Sequence, residues 1–210
     1  MKRLNISDAH AGLEPDGRMQ RILEFCVKEN PDEVAFHGDT FHLNELGKAV
    51  FDTSDYKILL TIKIFYPIKI ILGNHDWQLR ELAPELPIVE PFIDEVGYYH
   101  SHWNEFDLVN CMPHCWHMIM ARLFGRKKTP MILKEQDSWA FLTYCQAIHT
   151  NAIEWAYDHV ESKTLIGGHT HAPLDCHFYD SGVRLLNCGD QIDSHTAVWQ
   201  DGKDLRVVRL

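Results

Sequence analysis

The sequence predicts an α/β fold, and three observations carry that expectation. Strand-length apolar segments alternate with amphipathic helical segments as far as residue 72, in the order strand, helix, strand, helix, strand. The run Ile68-Lys69-Ile70-Ile71-Leu72 has the look of a strand covered on both faces, as parallel sheets require. The end of the chain, from His177 to Leu210, alternates apolar and polar residues around the turn pairs Ser181-Gly182 and Asp201-Gly202, which predicts antiparallel hairpins.

Each element follows from local pattern. Leu4 and Ile6 alternate with polar neighbours, giving a first strand that ends just before Asp8. Met19, Ile22, Leu23 and Cys26 recur at helical spacing behind Pro15, and Pro31 stops that helix. Residues 33–37 form a second strand closed by Gly38-Asp39, and a helical stretch over 43–60 leads into the 68–72 strand. The runs "PIVEPFI", "EVGYYH" and "FDLVNCM" between 87 and 112 predict further strands. Trp139, Leu142, Cys145, Ile148, Ile153 and Val160 predict one or two helices over 136–160, and residues 163–166 a strand before Gly167-Gly168-His169.

The chain of 210 residues suits a single domain, with no repeat or linker. A net charge of −10 argues against a stable nucleic-acid partner or an anionic membrane surface, both of which favour excess Lys and Arg. No apolar run approaches the ~18 residues of a membrane span, and the first residues lack a signal-peptide pattern, so a cytoplasmic location is expected. The six cysteines have no disulfide-framework spacing and are expected to be thiols there.

Histidine is the excess, with fourteen in the chain. Asp8 and His10, Asp39, Asn74, His75 and Asp76, then His169 and His171 each follow a predicted strand, where α/β sheets build their sites. Taken singly, each group is an ordinary turn with a capping or solvated side chain. Taken together and in this order, they form a mixed oxygen and nitrogen donor set suited to Mn²⁺, Fe or Zn²⁺ and too numerous for one ion. Two cations about 3.5–4 Å apart, shared through Asp39, would clamp a phosphate and activate a water.

Asp8-x-His10, Gly38-Asp39, Gly73-Asn74-His75-Asp76 and Gly168-His169-Thr170-His171 resemble the signature of the calcineurin-like metallophosphoesterases, over nearly the whole chain. The resemblance implies a four-layer α/β/β/α sandwich with a dinuclear centre, Mn²⁺ being the expected metal and Fe or Zn²⁺ the alternatives. It implies that Asp8, His10, Asp39 and His171 hold one ion, and Asp39, Asn74, His169 and a further histidine the other. A metal-bridging hydroxide would attack the phosphate ester, with His75 assisting the leaving group and Asp76 orienting His75. The further histidine is expected at a strand end, usually within His-Gly-His or His-Gly-Asp. Candidates are His100, His102, His114, His117, His149 and His159; His114, directly after "FDLVNCM" and Pro113, is favoured, with His117 and His102 in reserve. On that reading Cys111, Cys115 and His117 pack around a ligand and do not form a zinc knuckle.

Residues 185–202 are similar to the end of the UDP-2,3-diacylglucosamine hydrolases, whose helical insertion matches residues 118–160 in place and would act as a lid. Those enzymes commonly carry Arg where this chain has His75, and many relatives carry an acidic residue at His42, so their substrate does not transfer with the fold. Arg80, Arg122, Arg126 and Lys127 are candidate substrate contacts, the last three in a basic cluster that suits a phosphate or nucleotide portion. The expected activity is hydrolysis of a phosphodiester, phosphomonoester or diphosphate. The rivals are a cyclic-nucleotide or nucleic-acid phosphodiesterase using the same site, and a non-catalytic scaffold that binds proteins.

Overall fold

The computed structural model describes residues 1–12, 16–107, 134, 137–159 and 162–210. Among them, strands β1 (Lys2–Ile6), β2 (Glu33–His37), β3 (Ile68–Ile71) and β4 (Ile88–Val89) run parallel, and β10 (Thr196–Asp201) and β11 (Asp204–Arg209) extend them antiparallel in a six-stranded sheet ordered β11-β10-β1-β2-β3-β4. A second sheet of five strands is ordered β5-β6-β7-β9-β8, built from β5 (Phe92–Ile93), β6 (Tyr98–His100), β7 (Thr164–Gly167), β8 (Leu174–Phe178) and β9 (Val183–Asn187).

Three apolar clusters hold the layers together. Leu4, Ile6, Val34, Phe36 and Ile70 of the first sheet pack on Met19, Ile22 and Cys26 of helix α1 (Arg18–Glu29) and on Leu59 and Ile62 of a later helix, Ser54–Phe65. Each such side chain, fully removed from water, contributes ~1.5–3 kcal/mol before the entropy of ordering it. On the other side, Leu165, Val183 and Leu185 pack with Trp103 and Phe106 on Ile148, Ala152 and Ala156 of the helix Ser138–Asp158. The third cluster joins the sheets: Ile166, Leu186 and Cys188 meet Val198 and Leu205. Because successive strand residues point to opposite faces, Leu165 faces a helix while Ile166 faces the other sheet. Helix, sheet, sheet and helix thus stack in the four expected layers.

The predicted strands before Gly38, Gly73 and Gly167 form as expected, as do both terminal hairpins. The 43–60 stretch is divided into α2 (Leu43–Leu46), a 3-10 segment (Gly47–Asp52) and α3 (Ser54–Phe65), because the Thr53 side chain accepts a hydrogen bond from the Tyr56 amide and starts a new helix. A short α4 (Leu79–Leu82) follows β3. The 136–160 pattern forms one helix, α5 (Ser138–Asp158), capped by Asp137 through the Ala140 amide. "FDLVNCM" does not begin as a strand: Phe106 closes a 3-10 turn, Asn104–Phe106, and buries its ring under α5. No helix among the described residues is long and apolar enough to cross a membrane.

The polar face of β1 is not exposed. Arg3 and Asn5 are fully buried between the sheets. Arg3 donates to Glu33 at 2.5 Å, to Asp94 at 2.8 Å and to Gln200 at 3.2 Å, so its charge is paired from both sheets. The Asp94 carboxyl, in spite of burial, is held well below the usual carboxylate range by hydrogen bonds from His100 and Gln200.

Candidate metal centre

The turns that leave β1, β2, β3, β6 and β7 converge on one buried space. Asp8, His10, Asp39, His169 and His171 all have positive φ, between 44° and 70°. Asp and His are among the few types other than glycine that accept the left-handed region, and each such residue stores of order 1 kcal/mol that the surrounding fold must offset. Close approach explains the flanking glycines. A Cβ on Gly38, whose φ is +80°, would stand 2.4 Å from the His102 ring, and one on Gly168 would stand 1.9 Å from Ser7 Oγ and 2.3 Å from Asp8 Oδ2.

Both central carboxylates are divided in function. Asp8 Oδ2 accepts from the Ser7 hydroxyl at 2.6 Å and the His169 amide at 2.8 Å, while Asp39 Oδ1 accepts from the His75 amide at 2.8 Å. Their other oxygens face inward among imidazoles. Asp39 Oδ2 lies 3.3 Å from His102 Nε2, 3.8 Å from His10 Nε2 and 4.0 Å from His75 Nε2. Asp8 Oδ1 lies 3.4 Å from His171 Nε2 and 3.9 Å from His10 Nε2. His102 donates from Nδ1 to the His37 carbonyl at 2.7 Å, which turns its Nε2 toward Asp39. The His169 ring stands 5.1 Å from that of His102, its Nε2 engaged by Asp107 at 3.0 Å and by the Tyr144 hydroxyl at 3.2 Å.

Divalent cations fit this space. Asp8 Oδ1, His10 Nε2, Asn74 Oδ1 and His102 Nε2 are all buried with no hydrogen-bond partner, and buried polar atoms left so cost ~1–3 kcal/mol each unless something else meets them. Ligand atoms of Asp8, His10 and His171 lie within 4.8 Å of one another, as do those of Asp8, Asp39 and His102, and those of His10, His42 and His75.

The electrostatics follow. Burial would raise the Asp39 carboxyl, but His102, His10 and His75 outweigh it and hold the group well below its ordinary range. His102 shows the reciprocal effect: burial lowers it, Asp39 outweighs that, and the imidazole is pushed up to about 10. Burial holds His10 and His75 below the ordinary imidazole value. Burial and the nearby Asp39 raise Asp76 to about 7.

The structure therefore brings Asp8, His10, Asp39, His75, His169 and His171 of the expected set to one space, with Asn74 in the turn that carries His75, and adds His102. That histidine was only a reserve in the sequence, because His114 directly follows a strand-like run and Pro113; at His102 it is Trp103 that stands where the usual pattern has glycine. Trp103 nonetheless takes the glycine-like conformation, φ 77° and ψ 0°. His100 points elsewhere, its Nε2 3.1 Å from Asp94, and His159 stacks on Trp155 at 3.9 Å between ring centres. His114, His117, Cys111, Cys115, Arg122, Arg126 and Lys127 lie outside the described residues.

One expectation needs correction. Asp76 does not orient the His75 ring: its oxygens accept from the Thr40 amide at 2.7 Å and the Gly73 amide at 2.8 Å, bracing the two metal-site turns against each other, and His75 Nδ1 has no hydrogen-bond partner. Arg80 is half exposed and pairs with the exposed Glu90 at 2.5 Å. His42, read from sequence only as a departure, reaches the site's edge, with Nδ1 2.9 Å from His10 Nδ1.

Comparison with known proteins agrees with this fold. The family model described as calcineurin-like phosphoesterase matches residues 1–173. Among solved structures, a novel archaeal phosphodiesterase is 18% identical, with 100% of each chain covered and a TM-score of 0.53. Yfce, a phosphoesterase from E. coli, is 15% identical over 100% of this chain and 93% of its own, with a TM-score of 0.54. A dimetal phosphatase from Danio rerio is 10% identical over 99% and 95%, with a TM-score of 0.60. These likenesses concern the fold. No curated protein matches the chain.

Proposed function

Because the chain belongs to the calcineurin-like phosphoesterase family, and so to metal-dependent phosphoric ester hydrolases, we propose that it hydrolyses a phosphate ester or anhydride at a dinuclear centre made by its strand-end turns. The observation that supports this most is the convergence of the buried atoms Asp8 Oδ1, His10 Nε2 and His102 Nε2 around Asp39. On this reading Asp8, His10, Asp39 and His171 hold one cation, and Asp39, Asn74, His102 and His169 the other. His102, 3.3 Å from Asp39, takes the place for which His114 was the favoured candidate.

The cations, when bound, supply Lewis acidity that offsets phosphoryl charge and lowers the pKa of a water that attacks phosphorus. The donor set suits Mn²⁺, Fe or Zn²⁺, and Mn²⁺ is the first to test. The chain supplies the rest. Asp39, whose inward oxygen faces His102, His10 and His75, would help hold both cations. His75, a quarter exposed at the rim with Nε2 4.0 Å from Asp39 Oδ2, is placed to offer an N–H to a phosphoryl or leaving oxygen. Asp76 fixes the turn that carries His75. Helix α5 brings the Tyr144 hydroxyl to His169 and is read as the substrate-facing part of the insertion.

The experiment is to load the protein with Mn²⁺, count metal per chain, and assay a bis-aryl phosphodiester and an aryl monophosphate beside Asp39→Ala and His75→Ala. Two metal ions per chain and turnover lost in both variants support the reading. Absence of turnover with any divalent metal overturns it. A panel of nucleotide-lipid diphosphates, cyclic nucleotides, nucleotides and single-stranded DNA then narrows the substrate.

A further inference from the structure

The loop after β9, Cys188 to His195, belongs to none of the strand-end motifs, yet it delivers a fully buried carboxylate to the rear of His171. Asp190 has no solvent exposure. Its Oδ1 accepts from three backbone amides, Ile192 at 3.0 Å, Asp193 at 2.7 Å and Ser194 at 3.0 Å, and its own amide donates to Ser194 Oγ at 2.9 Å. One oxygen is therefore saturated, and the carboxylate cannot rotate without breaking the loop. The other, Oδ2, is buried with no hydrogen bond and lies 3.4 Å from His171 Nδ1; Lys134 Nζ is farther, at 3.9 Å. His171 Nδ1 is likewise buried and without another partner, while its Nε2 faces Asp8 Oδ1 at 3.4 Å.

We propose that Asp190 is the positioning residue of His171: its Oδ2 keeps the ring proton on Nδ1, so that Nε2, on the Asp8 side, carries the lone pair that a cation needs. The inference rests on the reading of His171 as a metal ligand. A carboxylate is suited to the task because, when ionised, it can only accept, so the neutral imidazole must place its single N–H toward it. A metal-bound histidine held in this way by a carboxylate keeps its tautomer and orientation through ligand exchange. The loop geometry supplies rigidity, since Oδ1 anchors the group independently of His171.

Asp190→Asn separates the positioning role from the loop-capping one. Its carbonyl oxygen can still receive the three amides, but its NH₂ then faces His171 Nδ1, which must become the acceptor and shift the proton to Nε2. Urea unfolding, Mn²⁺ affinity by calorimetry and the visible spectrum of the Co²⁺-substituted protein are measured for the parent, Asp190→Asn, Asp190→Ala and His171→Ala. Expected are an unfolding midpoint of Asp190→Asn close to the parent's, a ~10–100-fold loss of metal affinity, and an altered Co²⁺ spectrum. Parent-like affinity and spectrum in Asp190→Asn, with both impaired in His171→Ala, overturn the inference and leave Asp190 a loop cap. Undiminished metal binding in His171→Ala instead overturns the ligand reading beneath it. Should the Asn variant fold poorly, ¹⁵N-histidine NMR of the Zn²⁺-loaded parent decides: a proton on His171 Nδ1 supports the inference, and its absence there refutes it.

Discussion

Trp103 occupies a glycine's conformation with the largest fully buried side chain among the described residues, which makes a paired substitution informative. Its φ is 77° and its side chain has no exposure. Removing ~200 Å² of ring from the core at ~25 cal/mol/Å² costs about 5 kcal/mol. Against that, Trp103 Nε1 is buried without a hydrogen-bond partner, a penalty of ~1–3 kcal/mol that the parent carries and a truncation relieves. Trp103→Ala should then lose about 3 kcal/mol. Trp103→Gly removes the same ring and also the left-handed strain of ~1 kcal/mol, so it should be the more stable variant, reversing the usual order of Ala over Gly. Urea unfolding of the metal-free proteins at matched slopes measures both. An Ala variant as stable as the Gly variant would refute the strain argument. A coupled test uses Gly167, whose added Cβ would stand 2.4 Å from the Trp103 ring. Gly167→Ala should be severe in the parent and mild beside Trp103→Gly, because the two sites share one volume.

Other outcomes follow from the same contacts. Asp94→Ala leaves Arg3 buried between the sheets with Glu33 as its remaining close carboxylate, and should cost about 3 kcal/mol, recovered in large part by adding Arg3→Met; a loss under 1 kcal/mol in urea unfolding would contradict the network. His75→Ala should lower kcat by ~10²–10⁴ while metal content stays at the parent value, and a parallel loss of metal would make His75 a ligand. In metal-free protein, His102 is raised from 6.5 to about 10. A cationic group raised on folding stabilises fully below its unfolded value, and that contribution fades as pH climbs through the folded one. Stability should therefore fall from pH 7 to 9. This window lies above that of Asp76, a carboxyl raised to about 7 whose contribution has faded by then, and below the thiols, whose unfolded value is 9.0. The fall should be shallower in His102→Gln, His171 being raised in the same sense. An unchanged slope would show that His102 is not held charged by Asp39.

By itself the sequence determined the succession of elements and most of the centre, because both are written in local terms. Leu4 and Ile6, or Met19, Ile22 and Cys26, report a period, and a period identifies a strand or a helix whatever lies across from it. Asp8, Asp39, Asn74 and His169 each stand just past such a strand, where a parallel sheet must present its loops, so their convergence was legible before any contact was known. What only the tertiary structure decided depends on partners far away in the chain. Arg3 looks like part of a solvated face until the second sheet brings Asp94 and His100 over it, beside Gln200 of its own sheet. Asp76 serves the Thr40 and Gly73 amides rather than the histidine beside it. His102 stood behind His114, which follows an apparent strand and Pro113, and it is the packing of Trp103 under α5 that holds the turn after His102 in a conformation its residue type disfavours. Asp190 gave no local sign at all. Its role is a distance of 3.4 Å to His171, nineteen positions earlier, and such a distance exists only after two strands of one sheet have been laid side by side.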